Sequence, residues 1–402
     1  MISAEAMVKA DNWRTFGSGE LICQGDLAKI CISDCAQNYS LSYFAGQSIE
    51  SYMQTLPEFN QRFILKSRPK DLPGPEHFEI EDLAHPQLGH GQVRVRVLMV
   101  ALSPWQGQRL KDFKNYVKPF EIGEMIDCDV LGEVVEIGAD IDDAYGIGTR
   151  VTGRLGWQKF ATASPSELLP ATGDFGGRLW LTALSSPGLT AYCALDMFAQ
   201  PMPGQTLVVT SAAGSVGAYA VQLGKLAGMR VVGIAGGEEK CAHVVKQLGA
   251  DHCVDYRDKA FERELGFALP NGCDLFFDTV GGQVADSVFD NLAKYARVLV
   301  VGRTVSNNSD RPDLDYINMR QLWAREASIQ CFSRYSYPRE WAASRERMMA
   351  LCKQGLVKSI DNVVDGFEQS PRALHDMLAG KYTGKVLVRY ADPATNQGSI
   401  EL

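Results

Sequence analysis

The spacing of apolar positions changes character along the chain. Between residues 61 and 152 they come in strand-length stretches that either alternate with polar residues or run unbroken. These are Arg62-Phe-Ile-Leu-Lys66, Phe78-Glu-Ile-Glu81, Val93-Arg-Val-Arg-Val-Leu-Met-Val100, Val130-Leu-Gly-Glu-Val-Val-Glu-Ile137 and Thr149-Arg-Val-Thr152. Proline and glycine punctuate them, and short strands at this spacing predict a compact β-barrel-like domain. Residues 182–199 read as a helix. From residue 205 to about 332, short strand-like runs alternate with helical patterns. The runs are Thr206-Leu-Val-Val-Thr210, Arg230-Val-Val-Gly-Ile-Ala235, His252-Cys-Val-Asp-Tyr256, Leu275-Phe-Phe-Asp278, Arg297-Val-Leu-Val-Val301 and Ser328-Ile-Gln-Cys-Phe332. The apolar run Thr206 to Thr210 reads as a strand buried on both faces, and six strands with helices between them predict a doubly wound parallel sheet. A helix at 345–353 follows, and Gly384-Lys-Val-Leu-Val-Arg389 is expected to return to the first domain as a final strand. Residues 1–58 show no low-complexity tract: Cys23 to Ile32 is moderately apolar and Tyr39-Ser-Leu-Ser-Tyr-Phe44 is aromatic. Three readings of them stand open: an appended element, a poorly ordered arm, or upstream sequence outside the folded protein.

The run Thr206 to Thr210 leads into Ala212-x-Gly214-x-x-Gly217, with Ser215 and Val216 inside the turn, and then into a helical pattern. A strand, a glycine turn and a helix in that order are the dinucleotide-binding fingerprint, here with alanine in place of the first glycine. Gly214 would let backbone approach a pyrophosphate, Gly217 would let helix pack on strand, and the amides opening the helix would face the phosphates. The second strand selects the cofactor. An NAD site would carry Asp or Glu at its end, roughly twenty residues past the fingerprint, to bind the ribose 2′-hydroxyl. This strand instead runs into Ala235-Gly236-Gly237, followed by Lys240, while Tyr256 closes the third strand. A cation beside the ribose suits a 2′-phosphate, and a phenol can donate to it or cover the adenine. The expected cofactor is NADPH.

Composition narrows the field. A chain of 402 residues suggests two domains, and 46% hydrophobic content is ordinary for globular cores. A net charge of −8 argues against nucleic acid and acidic membranes as partners. No apolar run is long enough to span a bilayer, and Met1-Ile-Ser-Ala-Glu-Ala6 has neither a signal-peptide nor a transit-peptide pattern, so the expected location is the cytoplasm. The ten cysteines are scattered singly without C-x-x-C, which predicts reduced thiols and no structural zinc. Cys253, Cys273 and Cys331 lie in apolar runs and read as small buried hydrophobes. Cys23, Cys31 and Cys35 have no histidine near them to complete a metal site. Asp127, Asp129 and Glu133 read as strand-end and turn carboxylates.

Several motifs together resemble the medium-chain dehydrogenase/reductase superfamily: Gly188-Leu-Thr-Ala-Tyr192, Ser211-Ala-Ala-Gly-Ser-Val-Gly217, Leu248-Gly-Ala-Asp251 and Phe277-Asp-Thr-Val-Gly-Gly282. Arg62-Phe-Ile-Leu-Lys-Ser-Arg-Pro69, Leu102-Ser-Pro-Trp105, Gly236-Gly-Glu-Glu-Lys240, Asp255-Tyr256 and Thr383-Gly-Lys385 narrow the resemblance. They point to the leukotriene B4 12-hydroxydehydrogenase, prostaglandin and alkenal double-bond reductases, over roughly residues 61–390. The resemblance implies an α/β fold in which a Rossmann doubly wound parallel sheet is inserted in a GroES-like β-barrel domain. Residues 1–58 would then be an extension, 59–183 the GroES-like catalytic domain completed by 350–402, and 184–349 the NADP-binding domain. It also implies a homodimer through the nucleotide domains, with Lys240 and Tyr256 on the 2′-phosphate and Thr190 near the nicotinamide. Gly236 and the fifth-strand glycine, Gly302, would line the cofactor.

Zinc alcohol dehydrogenases of this superfamily carry Gly-His-Glu where this chain reads Asp129-Val-Leu-Gly-Glu133, and none of the six histidines is placed to help. The expected chemistry is therefore zinc-independent conjugate reduction: hydride adds to the β-carbon of an α,β-unsaturated ketone or aldehyde, and donors stabilise the enolate oxygen. The chain departs from the family in three places. Asn307 stands where double-bond reductases carry a tyrosine, Ser103-Pro-Trp-Gln-Gly107 replaces D-P-Y-M-R, and Tyr382 replaces an asparagine before the C-terminal Gly-Lys. Asn307, Tyr116 and Tyr335 are the candidate groups near the substrate carbonyl. The alternative function is an NADPH:quinone reductase of the same superfamily; a third is a low-turnover NADPH-binding regulatory protein.

Overall fold

The computed structural model describes residues 56–112, 118–173, 177–304 and 318–391, and three short strands before them. Those strands, β1 (Trp13–Phe16), β2 (Glu20–Cys23) and β3 (Ile30–Cys31), pair antiparallel in the order β1-β2-β3 and belong to a unit separate from the rest of the described residues. Residues 58–393 form another unit.

Within that unit, β4 (Phe59–Leu65) and β5 (Phe78–Ala84) form a hairpin. A seven-stranded sheet is built on β6 (Val93–Leu102), which is buried along all ten residues. β6 pairs antiparallel with β7 (Asp129–Ile137), which in turn pairs with β8 (Arg150–Arg154). β9 (Phe160–Ala163) also pairs with β6, and β10 (Leu168–Pro170) closes the far edge on β8. The alternating arginines of β6 do not face water. Arg94 gives its Nε to Glu136 at 2.7 Å, and Arg96 reaches Glu133 at 2.8 Å. Burying a guanidinium is tolerable only with such a partner. Glu133 is accordingly structural, but it lies buried in the middle of β7 rather than at a strand end or turn as the sequence reading expects.

The chain then enters a parallel sheet: β11 (Thr206–Thr210), β12 (Arg230–Ala235), β13 (His252–Asp255), β14 (Cys273–Asp278), β15 (Leu292–Val300) and β16 (Ser328–Cys331), ordered β13-β12-β11-β14-β15-β16. The order reverses beside β11, which opens a crevice at the carboxyl ends there. Leu207 and Val209 pack into the core on one face of the sheet and Val208 into the core on the other. Covering both faces is why β11 reads as an unbroken apolar run. Two strands complete the first sheet from the far end of the chain: β17 (Asp361–Asp365) pairs parallel with β18 (Lys385–Arg389), and β18 pairs antiparallel with β6. Among the described residues no helix is long and apolar enough to cross a membrane.

Several sequence expectations need correction. The helix expected at 182–199 starts later. A short 3-10 turn spans Gly177–Leu181, and the α-helix covers Ser186–Ala194, followed by a wider turn over Leu195–Ala199. Pro187 lacks an amide hydrogen and fits only the first helical turn, while the Thr182 hydroxyl donates to the Arg178 carbonyl and closes the turn before. The helix expected at 345–353 begins at Trp341. β9, β10, β17 and the helix Ser370–Leu378 were not foreseen. Cys273 is buried, but Cys331 is exposed, because β16 is the edge strand and every one of its residues is exposed.

Candidate functional site

We name the helices that build the site α1 (Pro104–Arg109), α2 (Ser186–Ala194), α3 (Gly217–Leu226) and α4 (Glu238–Lys246). The fingerprint turn joins β11 to α3. Ser211 sits in the left-handed region at φ 48°, and its carbonyl accepts from the Gly214 amide at 2.7 Å. A Cβ at Gly214 would lie 2.5 Å from Ser211 Oγ, and one at Gly217 would overlap the Ser211 carbonyl oxygen. Both glycines are required by this close approach. Ala212 is fully buried and donates its amide to Ile234, so the absent first glycine leaves no gap. Ser215 and Val216 are half-buried where α3 begins.

This turn is clasped from outside by the C-terminal segment. The Gly384 amide donates to the Ala213 carbonyl at 2.7 Å, and Gly384 forms a parallel bridge with Gly214. Gly384 has φ 78°, and a Cβ there would strike the Ile360 carbonyl oxygen. Gly384→Ala is therefore expected to lower stability by about 1–2 kcal/mol or more, because an L-residue is strained in that conformation before any clash is counted. It should also weaken dinucleotide binding several-fold by loosening the turn. A melting curve and a cofactor-fluorescence titration check both.

At the end of β12 a second cradle forms. A Cβ on Gly236 would lie 2.7 Å from a Tyr256 ring carbon and 2.8 Å from Arg257 Nε, and Gly237 has φ 96°. Asp255, at the end of β13, already accepts backbone amides from Gly237 and Arg257, both at 2.9 Å. Lys240, on the first turn of α4, donates to the Gly380 carbonyl at 2.7 Å. Burial holds its ammonium below the usual lysine value, with nearby Arg257 adding to the effect. Tyr256 is 45% exposed, and the Arg257 guanidinium stands 5.7 Å from its ring centre. A phenol ring and two cations thus surround a glycine-lined strand end. Arg257, directly after Tyr256, is the residue sequence reading missed; its adjacency to the strand tip was the available signal.

The opposite end of the crevice is held by Asp278 at the end of β14. Fully buried, it accepts from Thr210 Oγ1 at 2.7 Å and from the amides of Val280 and Gly281 at 2.9 and 3.1 Å. Thr279 returns two hydrogen bonds to Thr210, so the strands flanking the reversal point are stapled together. Gly302 follows β15 beside Thr279, and Thr190 is buried on α2.

Where β6 ends, a polar cluster meets this crevice. Asp127 accepts from Arg154 at 2.6 Å and Arg109 at 3.2 Å, and the Arg154 guanidinium covers Trp105 at 4.7 Å. Lys385, one residue beyond the Gly384 clasp, is buried and donates to Ser103 Oγ at 2.6 Å. A cavity of about 240 Å³ is lined by Asp129, Arg154, Trp180, Ser185 and Arg345 among others. Of the three candidate groups for the substrate carbonyl, Tyr335 is 54% exposed, with its hydroxyl 3.1 Å from an Arg334 nitrogen. Asn307 and Tyr116 lie outside the described residues. Lys385 was passed over because Thr383-Gly-Lys385 served only as a family marker. Among the described residues no group of three His, Cys, Asp or Glu side chains could hold a metal ion.

Comparison with known proteins matches residues 61–170 to a family described as the N-terminal domain of oxidoreductase, and residues 215–374 to one described as zinc-binding dehydrogenase. The chain is 35% identical to the NADPH-dependent curcumin reductase of Escherichia coli (strain K12), over 83% of this chain and 97% of that protein. It is 28% identical to the 2-alkenal reductase (NADP(+)-dependent) of Nicotiana tabacum, over 82% and 97%. Among solved structures, CurA from Vibrio vulnificus in complex with NADPH superposes with a TM-score of 0.78 at 32% identity, covering 83% of this chain and all of that one.

Proposed function

The chain belongs to the medium-chain dehydrogenase/reductase superfamily, and from that premise we propose that it reduces the C=C bond of α,β-unsaturated ketones and aldehydes with NADPH as hydride donor. The observation that carries the cofactor is the pairing of two cations, Lys240 and Arg257, with a glycine-lined strand end at which Asp255 is already engaged by backbone amides. The curcumin and alkenal reductases and the NADPH complex of CurA support the same reading. Residues 184–349 carry the cofactor in this reading, and residues 59–183, completed by 350–402, carry the substrate.

Bound NADPH supplies a hydride from the nicotinamide ring. The chain's own residues do the rest. Gly214 and Gly217 admit the pyrophosphate to the opening amides of α3. Lys240 and Arg257 neutralise the 2′-phosphate, and Tyr256 flanks it. The Asp278–Thr210–Thr279 staple fixes the crevice wall against which the nicotinamide would lie. At the substrate end, negative charge develops on the carbonyl oxygen as an enolate. Donors fixed in advance lower that barrier because they need no reorganisation, and the polar cluster around Arg154 and Tyr335 presents them.

The test is anaerobic NADPH oxidation with a medium-chain 2-alkenone and a simple quinone in parallel. Turnover of the alkenone to the saturated ketone, with little quinone reduction, is the expected result. Turnover of the quinone alone would replace this reading with a quinone reductase. Binding of NADPH without oxidation by either would replace it with a regulatory role.

A further inference from the structure

Lys385 is a buried cation that nothing in the reduction so far employs. Among the described residues its ammonium has one hydrogen-bond partner, the Ser103 hydroxyl at 2.6 Å. Ser103 precedes α1, and its amide donates to the Gln106 side-chain oxygen at 2.8 Å, which fixes its backbone. The charged and titratable groups facing Lys385 are Asp129 and Cys128 at the start of β7 and Arg334 on the turn bearing Tyr335. Cys128 is itself fully buried with its thiol pushed far up, first by burial and then by Asp129 and Asp127, so it stays neutral.

We propose that Lys385 and Ser103 form the proton supply of the reduction, Ser103 giving the proton to the substrate and Lys385 replacing it. This rests on the enone reading. The balance is simple. Hydride adds to the β-carbon, and the C=C electron pair moves to give the enolate. The enolate's α-carbon then takes the proton of Ser103 Oγ as that O–H bond breaks, while one N–H proton of Lys385 restores the hydroxyl. Neutral Lys385 afterwards regains a proton from water.

Three observations support the assignment. The pair lies where β6 and α1 meet the C-terminal clasp of the fingerprint, since Gly384 is the neighbour of Lys385 and contacts Ala213 and Gly214. A hydroxyl partner, unlike a carboxylate, leaves the ammonium free to lose its proton. Burial accordingly brings Lys385 down to about 8, with Arg334 reinforcing the effect and Asp129 opposing it. A group titrating near the working pH is suited to proton transfer. The family's aspartate at position 103 would instead hold the lysine charged.

The experiment is the pH profile of kcat for alkenone reduction in the full chain, compared with Ser103→Asp and Lys385→Arg. Each variant is first checked for NADPH binding by cofactor fluorescence, which separates misfolding from lost protonation. The parent enzyme should lose activity on the alkaline side as Lys385 deprotonates. Ser103→Asp, which removes the donor hydroxyl, should lower kcat and move the residual alkaline limb upward by a pH unit or more, and Lys385→Arg, whose guanidinium does not give up a proton, should lower kcat and abolish the limb. Removing the hydroxyl with Ser103→Ala should lower kcat by roughly 10²-fold or more, the usual contribution of a positioned acid. It should also raise the solvent deuterium effect on kcat while shrinking the effect of deuterated NADPH. Alkenone turnover with the same alkaline limb in all three proteins and unchanged isotope effects would overturn the pair alone. No alkenone turnover by the parent enzyme would overturn the pair together with the enone reading.

Discussion

Lys240→Ala is expected to weaken NADPH binding by roughly 10- to 100-fold and to leave NADH binding within a few-fold of its starting value. A hydrogen bond to a charged partner contributes about 1.5–3 kcal/mol, and the lysine should make one to the 2′-phosphate that NADH lacks. The size depends on context that the structure supplies. Lys240 is held at its station by the Gly380 carbonyl at 2.7 Å, so little side-chain freedom remains to be lost on binding. Arg257 stands at the same strand end, its Nε 2.8 Å from where a Cβ on Gly236 would lie, and its removal should act in the same direction. The Lys240→Ala, Arg257→Ala double variant should fall short of the sum if the two cations share one phosphate group. Titration of both cofactors by fluorescence decides the matter. Equal losses for NADPH and NADH would mean that the lysine only ties α4 to the C-terminal segment.

Asp278→Ala should destabilise the fold by about 3–5 kcal/mol. Its carboxylate is fully buried and accepts the amides of Val280 and Gly281 and the hydroxyl of Thr210. Alanine strands three donors in a dry core, and each orphaned donor costs roughly 1–3 kcal/mol. Against a total stability of about 5–15 kcal/mol that is a large share. Asp278→Asn keeps one acceptor oxygen and should lose less. Thermal or urea unfolding measures the difference, and an alanine variant melting within ~2 °C of the parent would refute the burial argument. Because Thr210 ends the strand that enters the fingerprint, the surviving folded alanine protein should also bind NADPH less well.

What could be read in the sequence is what the chain decides locally. The fingerprint was legible because strand, turn and helix are contiguous, and each glycine answers to a neighbour within a few residues: Gly217 to Ser211, Gly214 to Ser211. Features set by distant partners were not. Arg94 and Arg96 look like solvent-facing positions of an alternating strand. They are buried because glutamates 42 and 37 residues away meet them on β7. Lys385 and Ser103 are 282 residues apart and each is unremarkable alone. The overlong helix at 182–199 came from following apolar spacing past Pro187. β9, at Phe160-Ala-Thr-Ala163, is a short run with small side chains and earns its strand state only by pairing with β6.

The placement of β18 beside β6 also bears on how the protein is made. Leu387 pairs with Ala101, 286 residues earlier (387 − 101), and Val388 with Val100, so β6 waits for a partner that the ribosome delivers only much later. At about 5–20 residues per second that wait lasts roughly 15–60 s. Throughout it, an apolar strand keeps an open edge of unpaired amides and carbonyls, the geometry that invites pairing with another chain. The parallel sheet, whose six strands are all synthesised in between, can be complete before the first sheet closes. On the nascent chain the second half of the molecule would therefore ripen first, with the earliest-made sheet left as the segment that needs shielding.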